Sequence, residues 1–157
     1  MISFGIDELI IQNPAWKSKR IGLVTNDAAT TNTGILSRTA LVQAGFTIVC
    51  LFTPEHGISA KAPDGEAQQN SMDTITGLPI ISLYGNKCTP TAQDLENIDL
   101  LLFDIPDIGA RFYTYLWTLT YVLEACAINK KKCIVLDRPN PVSGNFDAAE
   151  GPFLEES

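Results

Sequence analysis

Glu55 and His56 are adjacent side chains of the two types that most often exchange protons in enzymes. They stand between Pro54 and Gly57, directly after an apolar run that predicts a buried strand. A rigid turn at the end of a strand can hold a carboxylate beside an imidazole, and neighbouring groups can raise the pKa of a glutamate toward that of a general acid. The alternative is structural, with Glu55 accepting backbone N–H groups and His56 packing against its neighbours.

A second group of charged side chains follows another apolar run, in the stretch LLLFDIPDIGARFYTYLWTLT at residues 100–120. The first four residues of this stretch are typical of a strand that is buried on both faces. Asp104, Asp107 and Arg111 then stand in a short loop before a helix, where charged groups are costly to bury without partners. They predict a ligand site at this loop. The alternative is that Asp107 pairs with Arg111 and that Asp104 caps the helix.

Five apolar runs predict the strands that would position these groups, and amphipathic stretches between them predict helices. The strands are expected at residues 19–25, 46–52, 80–83, 100–103 and 132–136, and the helices at 5–11, 35–44, 90–97 and 112–126. Thr89 and Pro90 predict the start of the third helix. This alternation is typical of an α/β fold, a Rossmann-like doubly wound parallel sheet of about five strands with helices on both faces. We expect the strand order 3-2-1-4-5.

Polar side chains follow four of the predicted strands directly. They are Asn26 and Asp27, Glu55 and His56, Asp104 and Asp107, and Asp137 and Arg138. A right-handed parallel sheet brings the carboxyl ends of its strands to one edge, so the four clusters predict a ligand-binding or catalytic site there. Residues 58–71 form a long polar connection, which predicts a lid over this site.

Four aromatic side chains lie at or near the same edge. Tyr84 and Tyr113 are close to loop positions, where their rings are available to stack on a sugar. Tyr115 and Trp117 fall inside the predicted helix, and for these two we favour ordinary packing of the helix on the sheet.

The composition excludes several classes of function. A formal net charge of −7 leaves no basic surplus to neutralise a nucleic-acid backbone. We expect no metal and no cofactor, because the chain has a single histidine, no Cys-x-x-Cys spacing and no Gly-x-Gly-x-x-Gly loop. No apolar stretch has the length of a membrane span. The N-terminus lacks the basic region of a secretory signal, which predicts a cytoplasmic protein or a secreted one whose signal has been removed.

Four motifs occur together in one order along the chain. They are LFTPEHG at 51–57, TGLPIISLYG at 76–85, FDIPDIGARFYTY at 103–115, and VLDRPNPVSG with EGP at 135–152. In this combination the chain resembles the exo-acting β-N-acetylmuramidases of bacterial cell-wall recycling. The resemblance implies a Rossmann-like N-terminal domain and release of N-acetylmuramic acid from the non-reducing end of peptidoglycan fragments. It also implies that Glu55 is the prime catalytic candidate.

Three departures from the family pattern accompany the resemblance. Ser59 and Ala60 stand where the family commonly has an arginine and a glycine, and Pro106 stands where a polar amide is usual. Family members also continue beyond the Glu-Gly-Pro segment into a C-terminal domain. We therefore expect a Rossmann-like domain at residues 1–143, and at 144–157 the start of a connection to such a domain.

The resemblance assigns expected roles to the polar residues of the predicted edge. Glycoside hydrolysis usually needs two carboxylates, and Glu55 with His56 is the first choice for the acid/base position. The second carboxylate is left open among Asp104, Asp107 and Glu150. The substrate-binding candidates are Arg111 and Arg138 for the lactyl carboxylate of muramic acid, Tyr84 and Tyr113 for the sugar pocket, and Asn26 and Asn140. The alternative function is a non-catalytic module that binds a saccharide or a nucleotide.

Overall fold

A six-stranded sheet forms the centre of the computed structural model, which describes residues 3–60 and 71–152. The strands are β1 (Ile21–Thr25), β2 (Ile48–Thr53), β3 (Ser71–Met72), β4 (Pro79–Ser82), β5 (Leu100–Asp104) and β6 (Lys132–Val135). The helices are α1 (Gly5–Gln12), α2 (Ser37–Gln43), α3 (Ala92–Leu95) and α4 (Tyr115–Ile128), with short 3-10 turns at Ala15–Ser18 and Phe146–Ala148.

The sheet confirms the predicted α/β, Rossmann-like class and the predicted order of the parallel strands. Those strands lie side by side as β4-β2-β1-β5-β6. The strand β3, which the sequence did not predict, pairs antiparallel with β4 at one end of the sheet. The strand β3 has only two residues and stands between polar neighbours. It is too short to show the alternation of apolar and polar residues by which strands are recognised in a sequence.

The core lies on both faces of the sheet, because successive side chains of a strand point to opposite sides. Leu23 and Leu102 pack on one face with α1 and α2. Val24 and Leu101 pack on the other face with α3 and α4. All five residues of β1 and of β5 are buried, as expected for central parallel strands covered on both sides.

The starts of α3 and α4 differ from the sequence prediction. The helix α3 is capped by Thr91 and not by Thr89, because the Thr91 side chain and Asp94 form a reciprocal capping box. The helix α4 begins at Tyr115, three residues later than predicted, and the 3-10 turn at Phe146–Ala148 was not predicted. Of the predicted lid, residues 61–70 lie outside the described residues.

Within the described ranges, no helix has the length and apolar content needed to cross a membrane.

Arg38, a buried cation on α2, joins three connecting segments at the carboxyl edge of the sheet. Its Nε donates to Asp73 Oδ2 at 2.9 Å and its Nη1 donates to Asp27 Oδ1 at 2.7 Å. The Asp27 backbone N–H in turn donates to the Ile58 carbonyl at 2.7 Å. The turn between β3 and β4 and the loops that follow β1 and β2 are therefore held together through one guanidinium.

Asp73 is the most enclosed carboxylate of this network, with 3% of its side chain exposed. Burial alone would raise the pKa of Asp73, but hydrogen bonds from Thr76 and Arg38, together with the Arg38 charge, hold that pKa below its ordinary value. The carboxylate therefore stabilises the fold in its ionised form.

We expect Asp73→Ala to lower the free energy of unfolding at pH 7 by about 3 kcal/mol, because it leaves a buried guanidinium without one of its partners. The folded pKa lies below the unfolded one, so this stabilisation is present above about pH 4 and is lost as the pH falls through the folded value. Urea unfolding of the two proteins at pH 7 and pH 3 should show the difference narrowing on acidification. Asp99→Ala, which breaks the exposed pair with Arg20, should cost less at pH 7. Equal losses in the two variants would contradict the role of burial.

Candidate active site

An open cleft of about 790 Å³ lies at the carboxyl edge of the sheet. Segments that follow β1, β2 and β5 form its walls, which is where ligands bind in open α/β sheets. Its volume falls in the range of about 300–1,000 Å³ that is usual for ligand pockets. The lining residues are Ala28, Glu55, His56, Ala60, Pro106, Ile108, Phe112, Tyr113, Thr114 and Tyr115.

Glu55 and His56 enter this cleft on a tight turn at the end of β2. The Gly57 N–H donates to the Pro54 carbonyl at 3.1 Å, which closes the turn. His56 has a φ of 67°, as the third residue of a type II turn requires, and this left-handed conformation is uncommon for a residue other than glycine. Strain of this kind concentrates at functional sites, where the surrounding structure holds it in place.

The Glu55 carboxylate is tied to the segment that begins α4. The Thr114 hydroxyl donates to Glu55 Oε2 at 2.9 Å, across 59 positions of sequence. The cleft thus joins the turn after β2 to the first residues of α4, and the bond orients a half-buried carboxylate.

Three aromatic rings line the cleft together with the Glu55 carboxylate. The ring centroids of Phe112 and Tyr113 are 5.6 Å apart, and those of Tyr113 and Tyr115 are 6.0 Å apart in an edge-to-face arrangement. Such rings offer apolar faces with a polar tip. Burial raises the pKa of the Tyr115 phenol, Tyr113 adds to the rise, the Asn26 amide opposes it, and the Glu55 charge adds to it again.

Asn26 stands immediately after β1, two residues before Ala28 of the cleft lining, and is completely buried. Its Oδ1 accepts the Ala28 N–H at 3.1 Å, which fixes the orientation of the amide. Its Nδ2 is, among the described residues, a buried side-chain atom with no hydrogen-bond partner. Buried donors are rarely left in this condition.

Asp104 and Arg138 bind each other below the carboxyl edge. Asp104 is completely buried, and it accepts hydrogen bonds from Arg138 Nε at 2.8 Å and Arg138 Nη2 at 2.9 Å. Arg138 also donates to the Thr30 carbonyl at 2.6 Å and to Ser37 Oγ at 3.2 Å. Burial raises the pKa of Asp104, and the Arg138 charge opposes that rise. All three guanidinium nitrogens are engaged within the protein, so this pair has a structural role.

Asp107 and Arg111 do not bond to each other, contrary to the structural alternative raised from the sequence. Asp107 Oδ1 accepts the Gly109 N–H at 2.8 Å, and Asp107 lines a neighbouring crevice of about 150 Å³. Arg111 Nη1 donates to the Pro152 carbonyl at 2.8 Å, and Arg111 is not among the residues that line the cleft.

The remaining candidates lie outside the cleft. Asn140 and Glu150 line a separate surface hollow formed by the tail. Tyr84 follows β4, where its backbone N–H donates to Ser82 Oγ at 3.2 Å, and it too is absent from the cleft lining. The structure therefore brings Glu55, His56 and Tyr113 together in the cleft, and Asn26 is not among the residues that line it.

Two polar residues of the cleft, Thr114 and Tyr115, were missed by the sequence reasoning. Thr114 is a single hydroxyl whose partner is distant in sequence, and no spacing rule identifies it. Tyr115 was interpreted as helix packing because it stands at the start of an apolar helical run. Its position as the first residue of α4, beside the loop, was the signal that could have identified it. Within the described residues, no group of three or more histidine, cysteine, aspartate or glutamate side chains is arranged to hold a metal ion.

A Rossmann-like sheet with a carboxylate, an imidazole and tyrosines at its carboxyl edge defines the class, an α/β domain with a ligand-binding or catalytic cleft. Comparison with known families identifies the family within this class. The family described as exo-beta-N-acetylmuramidase NamZ, N-terminal, matches residues 21–157, and the chain belongs to this family.

Individual relatives agree with this assignment. The chain is 43% identical over 157 residues to the peptidoglycan beta-N-acetylmuramidase NamZ of Bacillus subtilis (strain 168), a match that covers 98% of this chain and 37% of that protein. Two crystal structures of DUF1343 family proteins from Bacteroides fragilis NCTC 9343 are also similar. One has a TM-score of 0.80 and 41% identity over 90% of this chain and 36% of the other. The second has a TM-score of 0.72 and 32% identity over 88% and 35%. The chain spans little more than a third of the length of these relatives.

The loop that carries Pro106 and Ile108 into the cleft depends on Gly109. This residue has a φ of 73°, and a β carbon there would collide with the side-chain amide of Asn140. We expect Gly109→Ala to lower the free energy of unfolding by about 1–2 kcal/mol, measured by urea denaturation. Gly144→Ala is the matched control, because a β carbon at Gly144 meets no atom within 4 Å. A loss as large in the control would contradict the explanation.

Proposed function

We propose that this chain carries the general acid/base carboxylate of a glycoside hydrolase, and that the substrate is a peptidoglycan fragment with N-acetylmuramic acid at its non-reducing end. Membership of the NamZ family supports this proposal, because the Bacillus subtilis relative is a peptidoglycan beta-N-acetylmuramidase. The observation that carries the finer proposal is the placement of Glu55, on a strained turn in the cleft and bonded to Thr114.

Glu55 would transfer its proton to the glycosidic oxygen as the bond between that oxygen and C1 of the sugar breaks. Water then adds to C1, and a base takes the proton that the water releases. The bond from Thr114 to Oε2 holds the Glu55 carboxyl group beside the start of α4. His56 lines the same cleft and is suited to hold a sugar hydroxyl, because an imidazole offers one donor and one acceptor.

The second carboxylate is proposed to be Asp107. Asp104 is held by Arg138, and Glu150 lies in the separate hollow of the tail. Asp107 is exposed, and the crevice that it lines shares Tyr115 with the cleft of Glu55. A saccharide that spans both hollows would therefore pass beside both carboxylates.

One observation favours the alternative, a non-catalytic saccharide-binding module. Glu55 is the one carboxylate among the described residues that line the cleft. Turnover separates the two proposals, since both predict sugar binding at the same place.

Binding is measured by titrating the ¹⁵N-labelled chain with N-acetylmuramic acid. Shifts confined to the amides of His56 and residues 113–115 support a sugar site, and shifts scattered over the surface contradict it.

Hydrolysis is tested best in the full-length context of the relatives, by replacing the matching segment of the Bacillus subtilis protein with this chain. With a chromogenic β-N-acetylmuramide, Glu55→Gln should lower kcat about 10²–10⁴-fold and leave KM nearly unchanged, because it removes the transferable proton. Glu124→Gln, on the exposed side of α4, is the matched control and should keep full activity. A Glu55→Gln variant that retains a third of the activity would exclude Glu55 as the acid and support the binding module.

The hydroxyl of Thr114 should matter through Glu55. We expect Thr114→Val to lower kcat about tenfold, because the hydrogen bond that orients the Glu55 carboxyl group is lost, while Thr114→Ser should retain activity. Thr120→Val removes a hydroxyl of α4 that bonds only to the helix backbone, and it should have no effect on kcat. Equal activities for Thr114→Val and Thr114→Ser would show that the bond does not orient the carboxylate.

A further inference from the structure

The helix α4 is apolar on the side that faces away from the sheet as well as on the side that faces it. Val122, Ala125 and Cys126 are buried with the strands, and Glu124 is the one charged residue of the helix. The outward side carries five large side chains that are at least 39% exposed, Leu116, Trp117, Tyr121, Leu123 and Ile128. A surface helix normally turns polar residues outward, whereas a helix that is apolar all round is normally covered on both sides.

The exposed apolar side chains of α4 are contiguous. Trp117, Tyr121 and Ile128 follow each other at intervals of four and seven residues, and Leu123 follows Leu116 after seven, so each set runs along one line of the helix. Together they extend from the first turn of α4 to the last. Single exposed apolar side chains are ordinary on a protein surface, but a contiguous apolar strip marks an interaction site.

The strand β6 extends this apolar strip at the edge of the sheet. It pairs with β5 on one side, and it is the last strand of the sheet that the described residues form. Val135 of β6 is 46% exposed and lines the same crevice as Leu116, so the strand and the helix adjoin there. A free strand edge is a place where another stretch of polypeptide can pair. We call Val135 and the five exposed side chains of α4 together the α4–β6 surface.

We propose that the α4–β6 surface docks the polypeptide that follows the matched segment in the relatives of this chain. The matching family model describes an N-terminal part, and the match covers 37% of the Bacillus subtilis protein, so most of that protein follows it. Burial of the exposed apolar side chains against that polypeptide removes them from water, which is the main driving force of such an interface.

The path of the described chain leads to this surface. Arg111 Nη1 donates to the Pro152 carbonyl at 2.8 Å, shortly before α4 begins at Tyr115. A polypeptide that continues from Pro152, as in the relatives, therefore starts beside the first turn of α4 and reaches Trp117 without a long linker. The docked polypeptide would also border the crevice that Asp107 and Leu116 line.

A second copy of this chain is the main competing occupant. The formal net charge of −7 opposes self-association, because two copies repel each other. The parts of the chain outside the described ranges supply too little apolar surface to cover α4. Residues 61–70 contain no large apolar side chain, and residues 1–2 and 153–157 are too few for a helix of fourteen residues.

Hydroxyl-radical labelling read by mass spectrometry tests which side chains are covered. It compares this chain alone with the chimera in which the chain replaces the matching segment of the Bacillus subtilis protein. Trp117 and Ile128 should be labelled at least about fivefold less in the chimera, because a docked surface excludes water. Ile11 and Ile75 are exposed apolar side chains outside the α4–β6 surface, and they should be labelled equally in the two proteins. If this chimera does not fold, the corresponding exchange in the 41% identical Bacteroides fragilis protein takes its place.

A substitution in the same two proteins gives a second measurement. Trp117→Glu should lower the melting temperature of the chimera by roughly 3–6 °C, because it places a charge in the docked surface. The isolated chain should change by no more than about 1 °C, because Trp117 is exposed there and an acid in the first turn of a helix is favourable. Ile11→Glu, on α1, is the matched control and should have the same small effect in both proteins.

The results that would overturn the proposal do not involve the sugar. Equal labelling of Trp117 in the chimera and the isolated chain would exclude docking at this surface, and so would equal shifts for Trp117→Glu in both. Protection of Trp117 that rises with the concentration of the isolated chain, with a dimer in analytical ultracentrifugation, would assign the surface to a second copy. Because both measurements are independent of hydrolysis and of sugar binding, a failure of the proposed function would leave them valid.

Discussion

The buried ion pair between Asp104 and Arg138 holds the carboxyl edge of this sheet together. Two charges in the interior are costly unless they are paired and their remaining hydrogen-bonding groups are satisfied. Arg138 meets this requirement with the Thr30 carbonyl and the Ser37 hydroxyl, and the Phe4 ring lies against its guanidinium at 5.0 Å. The pair thus joins β5, the segment after β6, the loop after β1 and the starts of α1 and α2. Removal of either charge would leave the other buried without its partner. The segments that the pair joins are therefore held in place together.

The cleft depends on this fixed edge because its own walls are loops. Glu55 and Thr114 approach from different strands, and their 2.9 Å bond requires both loops to stay in place. Arg38 contributes from the opposite side by holding Asp27 and Asp73. Charged residues that resembled ligand-binding groups in the sequence therefore work largely as supports. The side chains to which we assign the proposed chemistry, a carboxylate, an imidazole and tyrosines, are less deeply buried.

The strand order and the shared edge could be predicted from sequence because both follow from general rules. Apolar runs identify the parallel strands, and the handedness of their crossovers puts the loops at one end. The pairing of the charges could not be predicted, since Asp104 and Arg138 are 34 positions apart and several acids were equally available to that arginine. The same limit applies to Glu55 and Thr114. Which side of a loop a residue faces is also set by local turns, and the bond from Gly109 to Asp107 is an example.

The helix α4 connects the cleft to the middle of the core. Its first residue, Tyr115, lines the cleft, while Val122, Ala125 and Cys126 pack into the apolar cluster on one face of the sheet. A helix rises about 1.5 Å per residue, so this anchorage lies roughly 10–17 Å from the site. The helix is rigid over that distance. The packing of these three small side chains against the strands therefore sets the position of Tyr115 and, with it, the width of the cleft. Substitutions at those core positions are therefore expected to alter the width of the cleft without any change to the residues that line it.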